Sequence, residues 1–295
     1  MKIKIATFNV NSIKARLKNV LDWLKNSSPD IVLLQELKCL EEDFPHEQFF
    51  DLGYNAAILG QKTYNGVAIL SKFKIEDVVK NIPNFTDDLL IKKAKKKVYQ
   101  DDFFDEDDGD RQQQARYIEA VIIVGKNAIR VASIYVPNGG GEILAEENLE
   151  ESTKFQYKIN FFKALRQHFA AVLQYDEIAI FGGDFNVAAQ NIDVYDPVSL
   201  AGSVCFHPFE QKEFHAIINL GLTDAYRAFN QQTQAFSWWD YRGNAWQYNK
   251  GMRLDYLLTS PLASDKIVNA TIEDKDVRDL PKASDHCPVC ITIEI

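Results

Sequence analysis

The 295 residues carry 33 Lys and Arg against 42 Asp and Glu, a formal net charge of −9, with 46% hydrophobic residues. That apolar share is ample for a packed core, and the length suits one large domain or two ordinary ones. Net acidity argues against indiscriminate nucleic-acid binding, and no run nears the roughly 18 apolar residues of a membrane-spanning helix.

The first segment, "KIKIATFNV", alternates like a strand and lacks an apolar signal core, which points to a cytoplasmic protein without a membrane role. "IKARLKNVLDWLKN" follows with Ile13, Leu17, Val20, Leu21 and Leu24 at helical spacing, and "SSPD" ends it. "IVLLQE" is a short buried strand closing on Glu36. "NGVAILS", "RYIEAVIIV" and "IRVASIYV" read as strands, the last two joined by a hairpin at "GKNA". Between them, residues about 87–111 form a charged insertion, a basic "KKAKKK" followed by "DDFFDEDDGD" with seven carboxylates, best read as a solvated segment. Residues from about 150 to 174 predict a helix with Phe155, Ile159, Phe162, Leu165, Phe169 and Val172 on one stripe. A strand at 177–181, a short helix "FEQKEFHAIINLG" closed by Gly221, and late strands "RLDYLLT" and "CPVCITIEI" complete the chain.

Strands occur both in adjacent groups and alternating with helices, which suits a mixed, layered α/β architecture. No linker divides the chain, so residues 1–295 are expected to form a single domain. Cys39, Cys205, Cys287 and Cys290 are too sparse for a disulfide framework; Cys287 and Cys290, three apart in a strand, face opposite sides and read as a packed, reduced pair.

Polar residues recur where apolar strands finish. Asn9 and Asn11 end the first strand, Glu36 the second, Tyr135 and Asn138 follow "IRVASIYV", and Asp184 and Asn186 follow "IAIF" through two glycines. Two later cases invert the order: Asp255 stands near the beginning of "RLDYLLT", and Asp285 and His286 precede "CPVCITI". If the late strands run antiparallel to the early ones, all these groups share one edge. Any one of them alone reads as turn chemistry. Together they predict an all-oxygen acidic site suited to Mg²⁺ or Mn²⁺ and not to zinc, acting on an anionic substrate such as a phosphate ester, with His286 taking up phosphate charge.

The motifs "IATFNVNSI", "IVLLQELK", "NGVAILSK", "QARYIEA", "IYVPNG", "FGGDFNVA", "FSWWDYR", "MRLDYLL" and "SDHCPV" stand in order over nearly the whole chain. In this arrangement the sequence resembles the exonuclease III family of abasic-site endonucleases, within the endonuclease/exonuclease/phosphatase superfamily. The resemblance implies a deoxyribonuclease I-like, four-layer α/β sandwich of two packed mixed sheets flanked by helices. It implies that Glu36 is the principal metal carboxylate, with Asn9, Asp285, Asp184 and Asn186 about the ion. Asp184 would activate water or protonate the leaving oxygen, Asn186 would orient the nucleophile, and Tyr135 would stand near the scissile phosphate. Asp255 would support the site, and His286 would bind phosphate oxygens.

Trp238, Met252 and Leu254 fall where the family lines a small apolar pocket for a deoxyribose lacking its base. Asn11 and Asn138 are expected on the substrate side, and Arg116 and Arg242 are candidate phosphate contacts. The implied partner is double-stranded DNA with abasic sites or blocked 3′ ends, met by a monomer. Two alternatives stay open: a superfamily enzyme acting on lipid or inositol phosphodiesters, and a catalytically silent nucleic-acid-binding protein.

Overall fold

The computed structural model describes residues 1–85, 114–140 and 149–295; the charged insertion expected at about 87–111 lies outside the described residues. β1 (Lys2–Asn9) is the hub of the first sheet. It pairs in parallel with β2 (Ile31–Gln35) and antiparallel with the last strand. Around them stand β3 (Asn55–Leu59) and β4 (Val67–Ser71). The second sheet contains β5 (Lys74–Lys80), β6 (Tyr117–Val124), β7 (Asn127–Tyr135), β8 (Ile178–Asp184) and β9 (Thr223–Asp224). The two-residue β10 (Trp238–Trp239) and β11 (Gly251–Met252) form a small ribbon. β12 (Asp255–Thr259) joins the second sheet, and β13 (Ile267–Ile272) and β14 (Val289–Glu294) join the first. Strand order is β13-β14-β1-β2-β4-β3 in one sheet and β5-β6-β7-β8-β12-β9 in the other.

Apolar side chains of both sheets meet in the central layer, Ile5, Leu33 and Ile69 from the first against Ile122, Val131 and Ile180 from the second. Helix Ile13–Ser27 covers the outer face of the first sheet with Ile13, Val20, Trp23 and Leu24. Helix Thr153–Val172 covers the second with Phe162, Leu165 and Phe169, joined by Phe214 and Ile217 of helix Pro208–Ile218. The result is the four-layer sandwich of two mixed sheets with helices outside. All four cysteines are buried and free: Cys287 packs by Phe236 and Trp239, and Cys290 lies in the layer beneath helix Ile13–Ser27. Among the described residues no helix is long and apolar enough to cross a membrane.

The glycine pair before Asp184 answers to close packing. A Cβ on Gly182 would lie 2.5 Å from Leu257 Cδ2 and 2.6 Å from Leu33 Cδ1, and one on Gly183 would lie 1.9 Å from the Ile134 carbonyl oxygen. Only hydrogen at these positions lets β8 run deep between its neighbours and deliver Asp184 to the edge.

Candidate active site

Register alone aligns three polar groups of the second sheet. Tyr135 of β7 lies beside Asp184, the last residue of β8, and Asp184 lies opposite Asp255, the first residue of antiparallel β12. The first sheet brings Asn9 from the end of β1, Glu36 just beyond β2, and His286 just ahead of β14, which runs antiparallel to β1. The inverted order of the late motifs is thus strand direction.

Hydrogen bonds join the two sheets at this edge. Asn9 Nδ2 donates to Glu36 Oε1 at 2.8 Å and to Asp184 Oδ2 at 2.9 Å, so one amide spans both carboxylates. His286 Nδ1 lies 2.9 Å from Asp255 Oδ2, and its Nε2 lies 3.7 Å from Asp184 Oδ2. The ligand atoms of Glu36, Asp184 and His286 all fall within 4.8 Å of one another. Asn186 adopts a left-handed backbone, φ 49°, which an asparagine tolerates better than most residues. This turns its amide back: the backbone N–H donates to Asp184 Oδ1 at 2.8 Å, and Nδ2 donates to the Val136 carbonyl at 2.9 Å.

The electrostatics follow from burial and from crowding of like charges. Burial, reinforced by the carboxylates of Asp255 and Glu36, raises the Asp184 pKa to about 7, although His286 pulls the other way. For His286 burial disfavours the charged ring, but Asp255 and Asp184 outweigh it and hold the pKa up at about 10. The ring therefore favours the imidazolium near neutrality, with Nδ1–H donating to Asp255 and Nε2–H left as a further donor. Burial and the Glu36 charge keep the Tyr135 phenol protonated, well above its ordinary pKa.

The other predicted residues fall around this centre. Asn138 Nδ2 donates to Asn186 Oδ1 at 3.2 Å. Asn11 Nδ2 donates to Asp285 Oδ1 at 2.8 Å, and Trp238 Nε1 donates to Asp285 Oδ2 at 3.1 Å. Asp285 is thus tied to its neighbours and is not in the close group of Glu36, Asp184 and His286. Met252 and Leu254 join Ala188, Val194, Cys205 and Phe206 in one buried apolar cluster, with Trp238 packed on it. Trp238 also bridges His286, so this cluster flanks the acidic centre. Arg116 is buried, with its guanidinium carbon 4.7 Å from the centroid of the Tyr135 ring. Arg242 is exposed and paired with Asp240 at 2.8 Å.

Two participants have no counterpart in the sequence reading. Lys38 Nζ lies 2.8 Å from Glu36 Oε2 and donates to Asn11 Oδ1 at 2.6 Å. Glu36 and Lys38 are both left-handed, with φ of 54° and 53°, a local turn that hydropathy does not register. Cys205, with φ 67°, lies 3.7 Å from Asn186 Oδ1 and 3.6 Å from Asn138 Nδ2; its only sequence signal was that it is one of four cysteines.

The donor set fits a hard divalent cation. Carboxylate oxygens of Glu36 and Asp184 converge with the His286 ring within 4.8 Å, and burial together with neighbouring carboxylates resists ionisation of Asp184 in the absence of a cation.

The Endonuclease/Exonuclease/phosphatase family matches residues 6–286. The chain belongs to this family. Exodeoxyribonuclease III of Haemophilus influenzae is 27% identical over 294 residues, covering 97% of this chain and 98% of that protein. The structure of a 3′ phosphatase from Neisseria bound to a product DNA hairpin matches with a TM-score of 0.82 and 30% identity, covering 99% of this chain and all (100%) of that one. An AP endonuclease from Archaeoglobus fulgidus matches with a TM-score of 0.81 and 30% identity over the same shares, 99% and 100%. Within the family this chain is an exonuclease III-like hydrolytic nuclease, and its two packed mixed sheets flanked by helices match those structures.

Proposed function

We propose that this protein is a Mg²⁺-dependent nuclease of DNA repair that cuts the backbone of double-stranded DNA 5′ to abasic sites and trims blocked or normal 3′ ends. The observation that carries this reading is the Asp255–His286 pair set against Asp184 and Glu36, with the apolar cluster of Trp238, Met252 and Leu254 on its flank. The acidic centre suits a phosphodiester. The apolar flank suits a sugar without its base.

A divalent ion held by Glu36 and Asp184, with Asn9 and Asp285 supporting, would supply positive charge to the phosphate oxygens. His286 donates its Nε2 proton to a non-bridging oxygen, and the Tyr135 hydroxyl supplies a second donor. Asp184 accepts a proton from the attacking water, while the Asn186 amide orients that water. Attack in line forms the new O–P bond and breaks the bond from phosphorus to the 3′ oxygen. The 3′ oxygen leaves and takes a proton from solvent to become a hydroxyl, and the phosphate stays on the abasic side. The net-acidic chain meets DNA through this one edge as a monomer, working in the cytoplasm.

The test is a duplex carrying a single tetrahydrofuran abasic analogue, incubated with Mg²⁺ and with EDTA. The expected result is one EDTA-sensitive cut whose upstream product a polymerase can extend. An intact duplex, with turnover of sphingomyelin or an inositol phosphate in parallel assays, would replace this reading with a non-DNA phosphodiesterase.

A further inference from the structure

Lys158, in helix Thr153–Val172, has no exposed side chain, and neither has its ion-pair partner Glu210, 2.6 Å away. The ammonium also donates to the carbonyl oxygens of Asn138 at 2.9 Å and Asn186 at 2.6 Å. Its three protons therefore go to three separate segments: the loop after β7, the loop after β8, and the start of helix Pro208–Ile218. Glu210 is doubly used, because its Oε2 also accepts from the His207 backbone N–H at 3.1 Å and caps that helix.

Burying such a pair is an expensive way to stabilise a core, since apolar side chains of similar volume commonly do as well or better. What apolar groups cannot do is hold two carbonyls at fixed points. The loops so held carry the two amides that meet at Asn186 Oδ1, and one of these residues sits at the left-handed φ of 49°. Close packing supports the arrangement: a Cβ on Gly139 would lie 2.7 Å from Lys158 Cδ, so the lysine stem fills the space left by that glycine.

We propose that Lys158 is a positioning residue for the nuclease reaction: its ammonium pins the Asn138 and Asn186 backbones and thereby fixes the Asn186 amide beside Asp184. The proposal rests on the reading of Asn186 as the group that orients the nucleophile.

The decisive variant is Lys158→Met combined with Glu210→Leu, which removes both charges and leaves no unpaired ion. Three readouts are taken: melting temperature, kcat and KM on the abasic duplex, and backbone amide hydrogen exchange by NMR without metal. The expected result is a folded protein with KM within about threefold of wild type and kcat lowered about 10- to 100-fold, the scale of a small misplacement of a reacting group. Exchange at the Asn186 amide should rise at least about tenfold while Ile180 in β8 stays protected. If the double variant does not fold, Lys158→Arg, with planar donors in place of tetrahedral ones, is read in the same way.

A double variant with wild-type kcat and unchanged Asn186 exchange overturns the proposal. If wild type itself leaves the abasic duplex uncut, the functional reading fails. The exchange measurement then decides the clamp without a substrate.

Discussion

Asp255→Asn separates the charge of a buried carboxylate from its hydrogen bond. Asp255 is fully buried, its Oδ2 lies 2.9 Å from His286 Nδ1, and its Oδ1 has no hydrogen-bond partner among the described residues. An amide oxygen can go on accepting from the ring, while the new NH₂ takes the partnerless place at a cost of about 1–3 kcal/mol in stability. The main effect is on the ring. Burial opposes the imidazolium, and Asp255 is the strongest of the groups that hold its pKa at about 10. Without that charge the ring falls towards the ordinary histidine value near 6.5, and at about pH 8.5 only about 1% of it stays charged. If the imidazolium binds phosphate, the variant should lose about tenfold or less at about pH 6 and about 100-fold more at about pH 8.5. Wild type should show no such decline below about pH 9.

The assay is single-turnover cleavage of the abasic duplex across this range with divalent ion saturating at each pH, alongside an NMR titration of His286. The stability consequence has a definite sign. A folded pKa above the unfolded one gives stability that is complete below about pH 6.5 and lost as pH rises through about 10. The stability gap between wild type and Asp255→Asn should therefore be widest at acid pH and close towards pH 10, by on the order of a few kcal/mol. A variant whose rate profile has the wild-type shape would refute the assignment of the charged ring to phosphate binding.

Three further outcomes are expected. Because the Asp184 pKa is about 7, Mg²⁺ binding must displace a proton below neutrality; its apparent affinity by calorimetry should weaken as pH falls below 7, by up to about tenfold per unit. Affinity that is flat from about pH 5.5 to 8 would remove Asp184 from the ligand set. Glu36→Ala should fold, since the side chain is partly exposed, yet lose about 10³-fold in cleavage and most of the Mg²⁺-induced rise in melting temperature; cleavage near the wild-type rate would contradict its role. Gly182→Ala should destabilise by about 1–3 kcal/mol in urea denaturation, because its Cβ would press on Leu257 and Leu33 at 2.5 and 2.6 Å; a neutral result would mean that the two sheets part more easily than their packing indicates.

Interior strands were legible because burial writes itself into sequence. β1, β2, β4, β6, β7, β8, β12 and β14 all carry apolar runs or strict alternation. β3, β5 and β13 were not anticipated, and each stands at the edge of its sheet. An edge strand such as "KIEDVVK" is paired on one side and half exposed, so its charges dilute the apolar period that marks a central strand. The helix stripes were legible for the same reason as the interior strands: Phe155, Phe162, Leu165 and Phe169 are buried where their spacing sets them.

The candidate site was legible as a list of residue types at strand ends, and its members converge because β12 and β14 reverse the direction of β8 and β1. Sequence by itself determined which polar groups reach the edge, since each stands at or within a few residues of the end of a buried strand. Tertiary structure decided what those groups do to one another. Lys38 on Glu36, Arg116 beneath Tyr135, Cys205 at the two amides and Lys158 under their carbonyls all depend on contacts between segments or on left-handed turns. So do the raised pKa values of Asp184 and His286. Hydropathy records only whether a side chain leaves water, whereas charge and hydrogen bonding act through distance and direction, which exist only once the two sheets have packed.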